Sequence, residues 1–280
     1  MSIAGLSVLN GAHALHDRNA PILQVERLSV RYNGDFALQD VSFVLNQGER
    51  VAVVGPNGAG KSTLFKAIAG VLSPTSGQVT VAGHCPGRHI CIAYVPQRSQ
   101  VDWSFPVTVA DVVMMGRVGR IGLLRRPGRR DVELVRQYLD LVGLSELAGR
   151  QIGELSGGQQ QRMFIARALA QEATLMLMDE PFTGLDVPSQ EHLFRIMDEL
   201  RRREVTVMVA THDLNMAADR FDRVLLLKGR LLGIGRPDDV LTTVQLRAAY
   251  GGQLRLIQTQ EGMMALGDTC CEGDGHDHIR

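Results

Sequence analysis

From Ile22 the chain alternates apolar and polar positions through ILQVERLSVRY, and after Asn33 and Gly34 it alternates again through FALQDVSFVL. Period-two alternation on both sides of a turn predicts two half-buried strands that open the domain as an antiparallel pair. RVAVVG breaks that pattern. It is a short β-branched run, as expected of a strand buried on both faces, and it leads through a glycine-rich turn into the helix-favouring KSTLFKAIAG. Gly70 is placed to end that helix. QVTVAG and CIAYVPQ predict two more strands, with HCPGRH as the loop between them.

From about residue 99 to 154 the pattern turns helical, which predicts a helical subdomain inserted into the sheet. Thr108 with Asp111 is the start of a capping box, and DVELVRQYLDLV sets Val132, Val135, Leu139 and Val142 at helical spacing before Gly143 stops the helix. Between these helices lie Arg117, Arg120, Arg125, Arg126, Arg129 and Arg130, a run that reads most simply as a solvated loop. Beyond the insertion, helix QQQRMFIARALAQ, strand TLMLMD, helix SQEHLFRIMDELRRR, strand VTVMVAT, helix DLNMAADRF and strand RVLLLKG alternate. Alternation of this kind predicts a mostly parallel sheet with helices on its faces. The expected fold is α/β, with a mostly parallel sheet core, an antiparallel β subdomain and the inserted α-helical subdomain. Residues 1–21 form a leader and residues 252–280, where periodicity is lost, a tail; both are expected to be loosely ordered around a domain of residues 22–251.

Composition narrows the function. In 280 residues, 45% apolar and 21% charged content is ordinary for a globular domain, which excludes collagen-like, coiled-coil and disordered chains. Thirty basic against thirty acidic residues leave zero net charge, so no global field draws the molecule to nucleic acid. Four cysteines are too few and too scattered for a disulfide framework, and the leader has neither a basic start nor a sustained apolar stretch. Together these predict a protein of a reducing, intracellular compartment. The longest uncharged stretch, 67–87, is broken by Gly70, Pro74, Gly77, Gly83 and Pro86, and predicts no membrane span.

The chemistry begins at GPNGAGKST, which comprises Gly55, Pro56, Asn57, Gly58, Ala59, Gly60, Lys61, Ser62 and Thr63. It matches the P-loop pattern and stands between a predicted strand and a predicted helix, the context that pattern requires. The glycines let consecutive N–H groups point into one concavity, to which the helix adds the positive end of its dipole. Lys61 would reach the β- and γ-phosphates, Ser62 would take a position on Mg2+, and Thr63 adds a donor. TLMLMDE ends a buried strand on two carboxylates. Asp179 suits a magnesium ion held through water, and Glu180 suits a base that polarises the water attacking the γ-phosphate.

A second phosphate-binding element follows the insertion. In LSGGQQQR, Ser156 and Gln159 form a capping box, and Gly157 and Gly158 leave the helix mouth uncovered. One ATP does not readily need both elements. Two chains paired head to tail, each presenting this turn to the triphosphate on the other's P-loop, would use both.

These motifs, in this order, resemble the ATP-binding subunit of an ABC transporter from about Ile22 to Gly251. The resemblance implies the P-loop NTPase fold of an ABC cassette, with ATP and Mg2+ bound and ATP hydrolysed. It makes Tyr32 the aromatic that stacks on adenine, Gln97 the Q-loop residue that senses magnesium, and Ser156 to Gln159 part of the signature. It makes Glu180 the general base, Asp186 the end of the D-loop and His212 the switch histidine. On the residues alone, Tyr32 could instead face the core, Gln97 could be a surface loop residue and His212 a satisfied half-buried side chain. The histidine would need one ring nitrogen oriented by a neighbour, for which adjacent Asp213 is a candidate.

Residues 98–117, RSQVDWSFPVTVADVVMMGR, resemble the segment that faces the permease in importers of manganese, zinc or ferrous iron. Trp103, Phe105 and Pro106 would then be an interface knob, or else the small core of the insertion. The implied partners are integral membrane permease subunits, a second copy of the ATPase and, indirectly, a solute-binding protein, with the chain peripheral on the cytoplasmic face of the cell membrane. The arginine run could meet lipid headgroups or permease. An ABC-type ATPase acting on nucleic acid or ribosomes is disfavoured by the single cassette, the lack of heptads and the absence of basic excess. Cys270, Cys271, Glu272, Asp274, His276, Asp277 and His278, and more loosely His84, Cys85, His89 and Cys91, are possible ligands for a divalent ion, against the simpler reading of an unstructured terminus and a loop.

Overall fold

A computed structural model describes residues 21–84, 91–97, 99, 101–122 and 125–251, and the backbone of 254–259 and 262–267. The two alternating segments form β1 (Leu23–Tyr32) and β2 (Asp35–Leu45), antiparallel and joined by the turn at Asn33 and Gly34. β3 (Arg50–Val54) runs into the P-loop and α1 (Lys61–Ile68). The next two predicted strands part company. β4 (Ser76–Val81) adds to the other edge of β1, whereas β5 (Ile92–Val95) enters a different sheet.

The insertion is helical, with α2 (Val109–Met115), α3 (Val118–Ile121), α4 (Arg129–Leu141) and two short 3-10 turns. Thr108 caps α2 by the expected reciprocal box, accepting from the Asp111 amide while Asp111 accepts from its own. In α4, Val135, Leu139 and the following Val142 are buried, but Val132 is exposed, so the apolar stripe is shorter than its spacing suggests. The arginine run is not one solvated loop. Arg117 is only 5% exposed: its guanidinium donates to Asp131, Glu172 and the Ala170 carbonyl, and Arg120 pairs with Glu172 at 3.2 Å. Arg125, Arg126, Arg129 and Arg130 are exposed, as expected.

α5 (Gly157–Ala170), β6 (Leu175–Asp179), α6 (Val187–Arg202), β7 (Thr206–Thr211), α7 (Leu214–Arg220) and β8 (Arg223–Leu227) follow the predicted alternation. The main sheet has the order β5-β6-β7-β3-β8-β9, parallel except for its last member, β9 (Leu231–Gly235). β9, α8 (Pro237–Val240) and α9 (Thr243–Tyr250) have no counterpart in the periodicity reading. Within the expected tail, β10 (Leu254–Thr259) and β11 (Gly262–Gly267) pair as an antiparallel hairpin, although their sequence shows no strand pattern.

Each parallel strand serves two cores because successive side chains point to opposite faces. Val51 and Val53 of β3 pack with α1 and the antiparallel sheet, while Ala52 and Val54 pack on the side of α5, α6 and the insertion. Phe65, Leu64 and Ile68 of α1 are fully buried between the two sheets, which fixes the P-loop above them. Truncating Phe65 to alanine would cost about 3–5 kcal/mol.

Candidate functional site

The site lies where β3, β6 and β7 end. Parallel pairing of β3 with β7 and of β7 with β6 brings the P-loop, Asp179 and Thr211 to the same edge of the sheet, the edge where open α/β sheets bind ligands. Two P-loop glycines are required by close approach. A Cβ on Gly55 would stand 2.1 Å from the Leu227 carbonyl oxygen, and one on Gly60, which also has φ +95°, 2.7 Å from that of Ala37. The loop is braced from below by the Gly229 amide, which donates to the Ala59 carbonyl at 2.9 Å.

Lys61 is buried, and its Nζ donates to the carbonyls of Gly55 at 2.7 Å and Pro56 at 3.2 Å. Burial pulls the ammonium below its ordinary value, against the opposing pull of the Glu180 and Asp179 charges. Asp179 is buried in turn. Its carboxyl is pushed up by desolvation and by the Glu180 charge, against a hydrogen bond from Ser62. Tyr94 of β5, a residue the sequence reading passed over, places its hydroxyl 3.4 Å from Asp179 Oδ2.

Glu180 sits at φ +49°, in the left-handed region, at a cost of about 1–2 kcal/mol for a residue with a Cβ. Its amide donates to the Ala210 carbonyl and its Oε2 accepts from Thr183 at 3.0 Å, so the surroundings hold the strained conformation. His212 Nδ1 lies 3.5 Å from the same Oε2, with the imidazole 61% and the carboxylate 17% exposed. The carboxylate nearest the histidine's Nδ1 is therefore that of Glu180. Asp213, the sequence candidate, is engaged as the N-cap of α7, accepting from Met216 at 2.9 Å.

A second constellation forms around α5. Ser156 caps it through the expected box with Gln159, at 3.4 Å and 2.9 Å. Gly158 is not simply an uncovered position, because a Cβ there would meet Ser189 Oγ at 2.8 Å. Ser189 belongs to the first turn of α6, which Asp186 caps by accepting its amide at 3.3 Å. The signature turn and the Asp186 turn thus pack on each other. Among the described residues, no hydrogen bond joins Ser156–Gln159 or Asp186 to the P-loop of the same chain.

The remaining residues are placed as follows. Tyr32 ends β1 and is 47% exposed, so it does not face the core. Gln97 follows Pro96 just beyond β5 and is half-buried. Trp103 and Phe105 separate: Trp103 packs edge-on against Phe164 at 5.7 Å in the insertion core, while Phe105 is 57% exposed. Cys91 is buried, and no group of three or more potential metal ligands exists among the described residues. Cys85, His89 and the whole Cys270–His278 cluster lie outside them.

Fold and site together define a P-loop nucleoside triphosphatase with an inserted helical subdomain. The ABC transporter family model matches residues 38–183. The manganese transport system ATP-binding protein MntB of Bacillus subtilis strain 168 is 44% identical over 237 residues, which is 84% of this chain and 95% of that protein. The zinc transport system ATP-binding protein TroB of Treponema pallidum is 46% identical over 233 residues, 83% and 88% of the two. A solved chain from a transporter described as metal-chelate type, in an inward-facing conformation, superposes with TM-score 0.76 at 32% identity over 89% of this chain and 99% of that one. The chain belongs to the ABC transporter family and is an ATP-hydrolysing, transport-coupled cassette. No helix among the described residues is long and apolar enough to cross a membrane.

Proposed function

We propose that this cassette powers uptake of a divalent metal ion, manganese, zinc or iron, through a separate integral membrane permease, working as a pair of copies on the cytoplasmic face of the membrane. The observation that carries the nucleotide chemistry is the cluster of buried Lys61 and Asp179 with half-buried Glu180 at the end of the glycine-rich loop. Among the described residues Lys61 donates to loop carbonyls alone, and burial disfavours the charge on both Lys61 and Asp179, so a phosphate and a cation would each relieve that cost. The oxygen donors of Ser62 and Asp179, which interact with each other, fit a hard ion such as magnesium. When bound, that ion would neutralise charge on the β- and γ-phosphates. Gln97, two residues past the end of β5, is a further candidate donor.

The protein's own steps follow from the geometry. Backbone N–H groups of the 55–63 loop other than Pro56, which has none, and Ala59, which donates to the Pro56 carbonyl, orient the triphosphate with the Lys61 ammonium, and Tyr32, exposed at the hairpin tip, offers a face for the adenine. The Glu180 carboxylate, held by Thr183 and facing His212, accepts a proton from the attacking water, while the imidazole steadies the water and the γ-phosphate. Ser156, Gly157, Gly158 and Gln159, backed by the Asp186 turn, form an anion site left unused by their own P-loop. A second copy that presents this turn to the bound nucleotide uses it. Contacts to the γ-phosphate would close the pair, and hydrolysis would release it.

The cargo is inferred from the named relatives, which belong to manganese and zinc transport systems. The test combines chemistry and cargo. Reconstituted with its permease and a carrier protein loaded from a panel of divalent ions, the wild-type chain should hydrolyse ATP faster with one of the three metals than with calcium or magnesium alone. Glu180→Gln should bind ATP, abolish that stimulation and elute as a dimer. A Glu180→Gln chain that stays monomeric with ATP and turns over normally contradicts the mechanism. Stimulation by no metal removes the cargo.

A further inference from the structure

The hydroxyl of Tyr94 has no part in the chemistry above, yet the sheet aims it at the carboxylate proposed to face the metal. β5 and β6 are parallel neighbours with Tyr94 in register with Leu177. Ile92, Leu175 and Leu177 belong to the core beneath α1, with Tyr94 packed against it, while Ala93, Val95, Met176 and Met178 belong to the opposite core. Period two therefore puts Tyr94 and Asp179 on one face, and the phenol spans the offset to lie 3.4 Å from Asp179 Oδ2. Ser62 favours the charged form of the same carboxylate. Asp179 thus faces two hydroxyls, one on the helix after the P-loop and one on the strand that leads into Gln97. An aspartate side chain has several staggered χ1 rotamers, and a hydroxyl fixed on a neighbouring strand selects among them.

We infer that Tyr94 is a positioning residue for the divalent-ion site: its hydroxyl, donating to Asp179 Oδ2, selects the carboxylate rotamer and ties the strand end that carries Gln97 to it. This rests on the nucleotide-site reading above. At 3.4 Å the contact is longer than an ordinary O–H···O bond, so the expected effect is on positioning rather than on stability.

The experiment uses the full chain carrying Glu180→Gln, so that nucleotide is bound without turnover. Binding of a fluorescent ATP analogue is followed first in EDTA and then with rising Mg2+. With Tyr94→Phe added, affinity in EDTA and the unfolding midpoint in EDTA should match the parent, affinity to within about twofold. The Mg2+ concentration that half-completes tightening should rise about tenfold, the loss typical when a group supporting a metal ligand is removed. In an Asp179→Asn background the same change should have no further effect. An unchanged Mg2+ half-point overturns the inference. So does a drop in EDTA affinity together with a lower unfolding midpoint, which is the signature of lost packing, or a Tyr94→Phe effect that persists without the Asp179 carboxylate. A parent chain that gains no affinity from Mg2+ is a different result: it brings down the nucleotide-site reading itself.

Discussion

Two clusters of buried charge in this chain have the same ingredients and opposite electrostatics. Around Arg117, in the helical insertion, every partner is close and complementary: Asp131 at 3.0 Å, Glu172 at 2.8 Å and the Ala170 carbonyl at 2.9 Å. Burial by itself would raise the Glu172 carboxyl, but the Arg117 hydrogen bond and the Arg120 charge outweigh it and hold it below its ordinary value. For Asp131, the Gly128 amide and Arg117 do the same. At the P-loop, desolvation wins. Asp179 is raised and Lys61 lowered, and the lysine leans on backbone carbonyls. A cluster that is complete in itself is structural; one left incomplete is a place prepared for a charged ligand.

Perturbing each cluster should sharpen the contrast. The largest effect is expected from Arg117→Met, which removes the buried guanidinium shared by Asp131, Glu172 and the Ala170 carbonyl and leaves Glu172 to Arg120 and Asp131 to the Gly128 amide; it should lower stability by about 1–3 kcal/mol, read as a fall in the urea midpoint. Affinity for nucleotide should be unchanged; a variant as stable as wild type would show the network to be dispensable. Asp179→Asn should do the reverse. Relief of an ionised, desolvated carboxylate should raise the melting temperature of the nucleotide-free chain at neutral pH, by about 2–4 °C for each kcal/mol regained. Hydrolysis should be lost with it. A lower melting temperature would place Asp179 among the structural charges.

The smallest effect lies in the pH profile. Glu172 and Asp131 have lowered folded values, so their contribution is present above the ordinary carboxylate range and is lost as pH falls through those values. Asp179 has a raised value, so its cost is relieved as pH falls through it toward the ordinary range. Melting curves from about pH 7 to pH 3 should therefore show a shallower acid loss in Arg117→Met than in wild type, and a steeper one in Asp179→Asn. Parallel profiles in all three would contradict the assigned directions.

Much of the site was legible because its signals are local. The P-loop, the Thr108–Asp111 box and the Ser156–Gln159 box are each completed within a few residues. Other features are not local. Nothing in QVTVAG and CIAYVPQ says that one strand joins β1 and the other β6. Arg117 and Arg125 look alike in the sequence, and only packing that brings Asp131 of α4, Ala170 at the end of α5 and Glu172 just beyond it around the first buries one and not the other. β9 and α9 were missed because their apolar positions are too few and too weakly periodic to stand above the surrounding glycines and polar residues.

The class of chemistry can be read along the chain: a turn of P-loop pattern, a strand ending in two carboxylates, and a serine-capped helix mouth each depend on local spacing. Which groups meet is a matter of three-dimensional packing. Glu180 rather than Asp213 faces His212, Tyr94 reaches Asp179, and Ser189 packs on Gly158. Those contacts depend on strand order and helix packing, which bring together residues far apart along the chain and are set by the burial of whole faces rather than by any neighbouring pair.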